Sequence, residues 1–213
     1  MKDTIIVSGG NIQKDFALDF LKRNKTEHTC LIAADRGVGF FMGTDLEPDI
    51  AVGDFDSLSA EGMEYMESLT HTKVIRLKPE KDDSDTQSAM NYAIEHGAKK
   101  IMILGATGNR IDHLMANFGL LILGRAKGVQ VVLADKYNYM CLIESGTVLK
   151  KEKQFGKYVS FFPLDGNVCG LTLKGFKYPL DGYDLKARDS GLTVSNEISE
   201  AEAEITFDSG KLF

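Results

Sequence analysis

Residues 100–112 read KIMILGATGNRID, and this stretch decides the predicted fold. Its first five residues are typical of a buried strand, and the glycine-containing turn at 105–108 leads into a helix that begins near Asp112. The same alternation recurs through the first two-thirds of the chain, with further strands predicted at 4–8, 29–34, 50–52, 73–77 and 130–134, and helices at about 15–23 and from 85. Short buried strands separated by helices predict an α/β fold with a mostly parallel sheet covered on both faces.

The last third of the chain has a different pattern. Strand-like runs at 157–162, 168–174 and 204–207 are separated by turn dipeptides such as Asp165-Gly166 and Asp181-Gly182. We therefore predict a small all-β unit beginning at about Gly146. A unit of roughly 65–70 residues is marginal as an independent domain, so it is expected to pack on the first domain, on a partner subunit, or on both.

Composition excludes several classes of function. The net charge is −6, and lysine and arginine form no stripe, so nucleic acid is not an expected partner. The three cysteines are isolated in sequence, which supports neither a disulfide framework nor a zinc site. No signal-peptide pattern and no apolar run of membrane-spanning length are present, so the expected location is cytoplasmic, without a membrane partner.

Acidic residues gather where the predicted strands end. Asp54 and Asp56 follow the strand at 50–52. Asp82 and Asp83 precede the helix that Ser84 and Gln87 would cap, and Asp85 lies in its first turn. In a locally extended chain the spacing of two points the Asp54 and Asp56 carboxylates to one side. Adding Asp85 would make the cluster unstable without a cation, and Mg²⁺ is the natural one because it prefers oxygen ligands and binds phosphates. The alternative is that Asp54 begins a turn while Asp56 caps the following helix.

Other polar groups at the same strand ends fit a phosphorylated ligand. Glycines 105 and 108, with Thr107 between them, would let the backbone of the turn and the helix start approach an anion. The forked guanidinium of Arg110 suits phosphate, and Asp112 next to it strengthens the indication of a phosphate site. His113 either orients Asp112 or simply caps the helix. Two sets of candidates remain: Asp35-Arg36-Gly37 is compatible with nucleotide or substrate contact, and Lys81 either balances the acidic charge or reaches a phosphate, or is a solvated surface lysine.

Taken together, these motifs resemble the bacterial thiamine pyrophosphokinases. The matching runs are AADRG (33–37), PDIAVGDFDSLS (48–59), KDDSDTQSAM (81–90), ILGATGNRIDHLMANFGLL (103–121), YVSFFPL (158–164), GLTLKGFKYPL (170–180) and VSNE (194–197). They occur in the family order and cover nearly the whole chain. The runs at 53–57 and 108–117 are specific together, and the run at 194–197 is specific only in combination.

The resemblance implies an α/β catalytic domain over 1–138 and a thiamine-binding, dimerising β-sandwich over 139–213. It further implies a homodimer with interfacial active sites, which transfers pyrophosphate from ATP to the hydroxyethyl oxygen of thiamine and releases AMP. Carried over by position, Asp54, Asp56 and Asp85 hold Mg²⁺, Arg110 and Asp112 line the nucleotide, and Ser195 and Asn196 hold thiamine. Either Asp54 or Asp82 would accept the proton of the attacking hydroxyl.

Two other functions remain open on the residues alone. A DxD pair also holds the divalent ion of sugar-nucleotide transferases, which would not respond to ATP and thiamine. A non-catalytic nucleotide or thiamine sensor would bind ligand and form no AMP. The convergence of acidic motifs at strand ends makes the sensor the least favoured of the three.

Overall fold

The computed structural model describes residues 3–78, 80, 82–189 and 191–213. The chain divides into two compact units, one extending to Tyr139 and the other starting at Met140. The predicted domain boundary, between residues 138 and 139, lies next to this division. No helix in the described ranges is long and apolar enough to cross a membrane.

The first unit is built on the mostly parallel sheet that the sequence predicts. Six strands in the order β4-β3-β2-β1-β5-β6 pair in parallel, and the short strand β7 lies where the chain passes from the first unit to the second. Their bounds are β1 Asp3–Val7, β2 Thr29–Ala34, β3 Ile50–Gly53, β4 Lys73–Arg76, β5 Lys100–Leu104, β6 Gln130–Ala134 and β7 Tyr139–Cys141. Every residue of β2 and β3 is buried, as expected for central strands covered on both faces.

Four helices accompany this sheet: α1 Lys14–Asn24, α2 Ala60–Ser68, α3 Asp85–Glu95 and α4 Ile111–Ala126. The predicted cap of α3 is confirmed, because the Ser84 hydroxyl accepts the Gln87 N–H at 3.2 Å. Helix α2 was anticipated only in the alternative in which Asp56 caps a following helix. It is capped by Ser59, whose hydroxyl accepts the Gly62 N–H at 3.1 Å, so the alternative in which Asp56 caps this helix is wrong.

The strand order creates a switch point between β1 and β5. The chain moves outward from β1 to β2, β3 and β4, and then returns past β1 to form β5 and β6 on the other side. At this point the Gly10 N–H donates to the Gly105 carbonyl at 3.1 Å. A Cβ on Gly10 would lie 2.2 Å from that oxygen, and Gly105 has a φ of +72°, so both positions require glycine. Ligands of open α/β sheets bind outside the carboxyl ends of the strands at such a point.

The second unit is an antiparallel sheet of four strands in the order β10-β9-β11-β8. Their bounds are β8 Thr147–Lys150, β9 Val168–Lys174, β10 Leu180–Leu185 and β11 Glu202–Thr206. A core of buried side chains that includes Leu171, Leu173 and Ile205 holds this unit together. The predicted strand at 157–162 is wrong, because this segment forms no strand: Val159 makes an isolated bridge with Asn196, and Phe162 exchanges backbone hydrogen bonds with Phe213.

Candidate functional site

Three carboxylates converge at the carboxyl edge of the parallel sheet. Asp35 follows β2, while Asp54 and Asp56 follow the neighbouring strand β3. One oxygen from each of the three lies within 4.8 Å of the other two. We call Asp35, Asp54 and Asp56 the carboxylate cluster. The convergence follows from topology, because adjacent parallel strands end at the same edge.

A turn at Phe55 brings Asp54 and Asp56 together, in place of the extended backbone that the sequence predicted. Phe55 has a φ of +62°, so the segment is a left-handed turn and the extended backbone assumed for the spacing of two is wrong. The Asp56 N–H donates to Asp54 Oδ1 at 3.2 Å. The Phe55 ring is only 1% exposed and anchors the turn in the core. This burial stabilises a backbone conformation that non-glycine residues rarely adopt.

Asp35 belongs to the cluster as well, although the sequence placed it only near the nucleotide. Its φ is +48°, and its Oδ2 accepts a 2.6 Å hydrogen bond from the Ser57 hydroxyl. Its Oδ1 is buried and has no hydrogen-bond partner among the described residues. A buried carboxylate oxygen without a hydrogen-bond partner lowers the stability of the fold, and a bound cation would supply the missing partner. The donor set, three carboxylates, is the kind that Mg²⁺ prefers.

The electrostatics of Asp56 show how strongly the cluster repels negative charge. The hydrogen bond with Asp54 and the Asp54 charge raise the Asp56 pKa, and the charges of Asp35 and Asp85 raise it further. The Asp85 charge therefore acts on Asp56 in the same direction, although Asp85 is not one of the three converging carboxylates. A divalent cation would reverse this effect, because it favours the ionised form of every carboxylate around it.

Helix α3 positions Asp85, which is its first residue. The next residue, Thr86, forms a 2.6 Å hydroxyl–hydroxyl hydrogen bond with Ser8, directly after β1, and both residues are 7% exposed. This buried bond joins the start of α3 to the centre of the sheet. Neither hydroxyl was singled out from the sequence, because no local pattern links two residues 78 positions apart.

The acidic residues before α3 differ in their surroundings. Lys81 lies outside the described residues, so its prediction is not tested here. Asp82 is exposed and is not a member of the carboxylate cluster. Asp83 accepts hydrogen bonds from the side chains of Gln87 and Asn91, which fixes it against α3.

Arg36 and Gly37 are tied to the end of β1. The Arg36 guanidinium donates to the Gly9 carbonyl at 3.1 Å, although its side chain is exposed. Gly37 packs so closely on β1 that a Cβ would lie 1.9 Å from the Val7 carbonyl oxygen. The glycine is therefore required by packing, whatever ligand the segment contacts.

The β5–α4 loop carries the predicted arginine and its acidic partner. Arg110 donates to both carboxylate oxygens of Asp112, at 3.1 and 2.5 Å, and both side chains are exposed. This pairing lowers the Asp112 pKa to about 2. His113, also exposed, donates its backbone N–H to Asp112 Oδ1 at 2.9 Å. The three residues form one group at the start of α4.

The same loop is held from two sides by Asn117 and Asp135, neither of which was a site candidate from the sequence. The buried Asn117 side chain donates to the Ala106 carbonyl at 2.8 Å, and the Thr107 hydroxyl donates to Asp135 Oδ2 at 2.6 Å. Asn117 lies within the family-like run at 103–121, which is the signal that could have identified it. Together these bonds set the conformation of the glycine-containing turn.

In the second unit, Ser195 and Asn196 differ in accessibility. Ser195 is exposed, has a φ of +58° and donates its N–H to the Ser160 hydroxyl at 3.0 Å. Asn196 is 2% exposed, and its carboxamide accepts the Tyr178 N–H and donates to the Tyr178 carbonyl. In this conformation Asn196 fixes the backbone around Ser195, and Ser195 is the accessible member of the pair.

Comparison with known proteins gives consistent matches over both units. Residues 21–133 match the family described as "Thiamin pyrophosphokinase, catalytic domain", and residues 146–212 match "Thiamin pyrophosphokinase, vitamin B1 binding domain". The chain is 32% identical over 212 residues to the thiamine pyrophosphokinase of Bacillus subtilis, covering 100% of this chain and 97% of that protein.

Solved structures agree with these matches. The crystal structure of thiamine pyrophosphokinase from Bacillus subtilis aligns with a TM-score of 0.87 and 30% identity, covering 99% of this chain and 96% of that one. The yeast thiamin pyrophosphokinase aligns with a TM-score of 0.79 at 14% identity, covering 99% of this chain and 84% of that one, and therefore shares the fold.

Proposed function

The chain belongs to the thiamine pyrophosphokinase family, a family of enzymes, and from this premise we propose that it transfers pyrophosphate from ATP to thiamine. The hydroxyethyl oxygen of thiamine would attack the β-phosphorus of ATP. The bond between that phosphorus and the oxygen bridging to the α-phosphate breaks, giving thiamine diphosphate and AMP. The carboxylate cluster at the carboxyl edge of the sheet is the observation that supports this proposal most directly.

We propose that Asp54 and Asp56 hold Mg²⁺ with Asp85 and that Asp35 completes the set. The buried, unpartnered Oδ1 of Asp35 and the raised pKa of Asp56 support this assignment, because both are relieved by a cation. The metal would supply charge neutralisation for the polyphosphate, which dominates catalysis of phosphoryl-type transfer. The Phe55 turn, which brings Asp54 and Asp56 together, and the cap of α3, whose first residue is Asp85, support this assignment.

The nucleotide is assigned to the neighbouring loops. Asp35, Arg36 and Gly37 follow β2, while Gly105, Thr107, Arg110, Asp112 and His113 belong to the β5–α4 segment, and Lys81 is assigned by position alone. Arg110 supports phosphate binding because it is exposed and its fork is held in a fixed orientation by Asp112. Asp54 and Asp82 remain the two candidates to accept the proton of the attacking hydroxyl.

We also propose that Ser195 and Asn196 serve thiamine, that the enzyme is a homodimer with active sites at the subunit interface, and that it acts in the cytoplasm. The exposure of Ser195 and the bonds of Asn196 to Tyr178 support a direct contact from the former and a positioning function for the latter. Light scattering after size exclusion tests the dimer, and a monomeric mass at working concentration would contradict it.

AMP release from ATP tests the reaction itself. With Mg²⁺ present, we expect AMP that depends on thiamine and disappears with EDTA. Thiamine-dependent ADP would identify an ordinary kinase instead, and no nucleotide turnover would favour a sugar-nucleotide transferase or a sensor.

The metal assignment is tested by Asp56→Asn and Asp85→Asn, which remove one carboxylate charge each. Both should abolish turnover while leaving the circular dichroism spectrum unchanged. Asp19→Asn is the matched control, because Asp19 is an exposed carboxylate of α1 that pairs with Arg23. Near-normal rates in the two cluster variants would refute the metal assignment.

A further inference from the structure

Arg76 is the last residue of β4 and has no function assigned above. In the parallel pairing of β3 with β4 it lies opposite Gly53, the residue directly before Asp54. The Leu77 N–H then donates to the Gly53 carbonyl at 2.9 Å, so the two strands stay paired up to their carboxyl ends. The backbone therefore fixes Arg76 at the edge of the sheet where the carboxylates converge.

The Arg76 side chain reaches the ring of Phe55. Its guanidinium carbon lies over that ring, 5.6 Å from the ring centroid. A cation at this distance from the face of an aromatic ring is attracted by the ring electrons. Arg76 is exposed whereas Phe55 is buried, so the guanidinium covers the ring from the solvent side.

Gly53 lets the Phe55 ring fold back onto the end of β3. A Cβ on Gly53 would lie 3.3 Å from Cε1 of the Phe55 ring and 3.0 Å from the Cα of Asp35. Both distances are shorter than an ordinary van der Waals contact, so a side chain at this position would push the ring and the Asp35 backbone away. The ring therefore packs on the end of β3, next to Asp35, and Arg76 covers it.

Residues 54–57 form the Phe55 turn, which acts on all three carboxylates of the cluster. Asp54 and Asp56 belong to the turn, and the Ser57 hydroxyl donates to Asp35 Oδ2 at 2.6 Å. Phe55 at its centre has a φ of +62°, a conformation that a non-glycine residue keeps only when surrounding contacts stabilise it. Loss of a contact to the ring should therefore favour other conformations of the turn, in which the carboxylates no longer converge.

The contact with the ring and the charge of Arg76 have opposite effects on a cation site. A positive charge near the carboxylate cluster repels a metal ion, so its removal would strengthen cation binding if charge alone mattered. A contact that holds the Phe55 turn increases the fraction of molecules able to bind, so its removal would weaken cation binding. The sign of the change in affinity therefore distinguishes the two effects.

We propose that Arg76 is a positioning residue for the metal site: by covering the Phe55 ring, it holds the Phe55 turn in the conformation in which the three carboxylates converge. This inference rests on the proposed function, since it concerns the metal ion of that reaction. Arg76 itself contacts neither the metal nor a substrate under the proposal. Its effect passes through the ring of Phe55 to Asp54 and Asp56, and through Ser57 to Asp35.

Binding of Mn²⁺, followed through the electron paramagnetic resonance signal of the free ion, tests the proposal without turnover. Arg76→Gln removes the cation and keeps a flexible polar side chain. We expect it to weaken Mn²⁺ binding about five-fold, because fewer molecules then have the turn in its binding conformation. Arg76→Lys keeps a cation over the ring and should restore the affinity to within about two-fold of the parent. Unchanged or tighter Mn²⁺ binding by Arg76→Gln would overturn the proposal.

The same strand supplies a matched control at its other end. Lys73 is the first residue of β4, is exposed, and holds its ammonium group over the Tyr92 ring, 5.2 Å from the ring centroid. Lys73→Gln therefore removes one positive charge and one contact of the same kind, at the amino edge of the sheet. It should leave the Mn²⁺ affinity unchanged. Equal weakening in Lys73→Gln and Arg76→Gln would overturn the proposal, because the effect would then belong to β4 and not to the Phe55 turn.

The dependence of turnover on Mg²⁺ separates positioning from a general loss of structure. In Arg76→Gln the Mg²⁺ concentration that gives half the maximal rate should rise about five-fold, while the rate at saturating Mg²⁺ falls by less than about two-fold. A lower saturating rate with an unchanged Mg²⁺ requirement would overturn the proposal, because it would indicate fewer folded molecules and not a misplaced metal site.

The outcomes separate this inference from the proposed function. Mn²⁺ binding that depends on Arg76, in a protein that forms no AMP from ATP and thiamine, would support the positioning function and refute the reaction. Thiamine-dependent AMP formation with equal Mn²⁺ affinities in the parent and Arg76→Gln would overturn the positioning function and leave the reaction standing. A parent protein that binds no Mn²⁺ would overturn this inference, because the Phe55 turn would then have no metal site to position.

Discussion

The buried hydrogen bond between Ser8 and Thr86 gives the sharpest test of how this fold positions its acidic residues. Thr86→Val keeps the side-chain shape and removes one hydroxyl. The Ser8 hydroxyl, in a residue only 7% exposed, then loses a partner 2.6 Å away. Stranding a buried hydroxyl costs about 1–3 kcal/mol in the free energy of unfolding, and no cavity term adds to it because valine fills the same space.

A double-mutant cycle measures this interaction directly. Ser8→Ala, Thr86→Val and the double variant would be unfolded in urea, and stability changes taken from the shifts in midpoint at a common slope. We expect the double variant to be less destabilised than the sum of the single ones, by about 1 kcal/mol, because removing both hydroxyls leaves neither one stranded. Additive effects, or a Thr86→Val variant within roughly 0.5 kcal/mol of the parent, would refute the reasoning.

The remaining predictions concern reactivity, pH and backbone packing. Burial, and then the charge of Asp49, raise the Cys30 pKa to about 11, so this thiol should resist Ellman's reagent in the native protein and react after unfolding in urea. The Arg110 pairing lowers the Asp112 pKa to about 2 from an unfolded value of about 3.9, so its contribution to stability should be complete above pH ~4 and be lost as pH falls through 2. A carboxyl titration by NMR that placed this pKa near 4 would contradict the pairing. Gly10→Ala should lower the thermal midpoint more than the matched Gly108→Ala, because the added Cβ lies 2.2 Å from a carbonyl oxygen in the first case and 3.7 Å from its nearest atom in the second. Equal midpoints for the two glycine variants would show that the β1–β5 crossing relaxes freely.

Local sequence was sufficient to predict those strands and helix starts whose limits depend only on neighbouring residues. Strands β2, β5 and β6 begin and end at the residues predicted for them, because each is a continuous apolar run bounded by polar or glycine residues. The cap of α3 was equally local, because the Ser84 hydroxyl accepts the backbone N–H of Gln87, only three residues later. The family resemblance, confirmed by the comparisons, rests on motifs of the same short range.

Prediction failed where long-range pairing decides the structure. The segment at 157–162 has strand-like composition, yet it forms no strand, because its backbone pairs in turn with Asn196, Thr193 and Phe213, none of which belongs to a strand. Helix α2 was anticipated only as an alternative because its apolar pattern is weak and its start depends on the Ser59 cap. Strand β10 was missed because its residues are largely exposed, and its pairing with β9 determines its conformation.

The sequence by itself determined the chemical character of this protein: acidic and glycine residues at the ends of buried strands, in a pattern that belongs to one enzyme family. Only the tertiary structure decided which acids meet. Asp35 joins Asp54 and Asp56 because β2 and β3 are neighbours in the sheet, and Asp85 couples to Asp56 although its helix begins 29 residues later in the chain than that aspartate. Strand order is set by the packing of the whole sheet, and no local pattern encodes it.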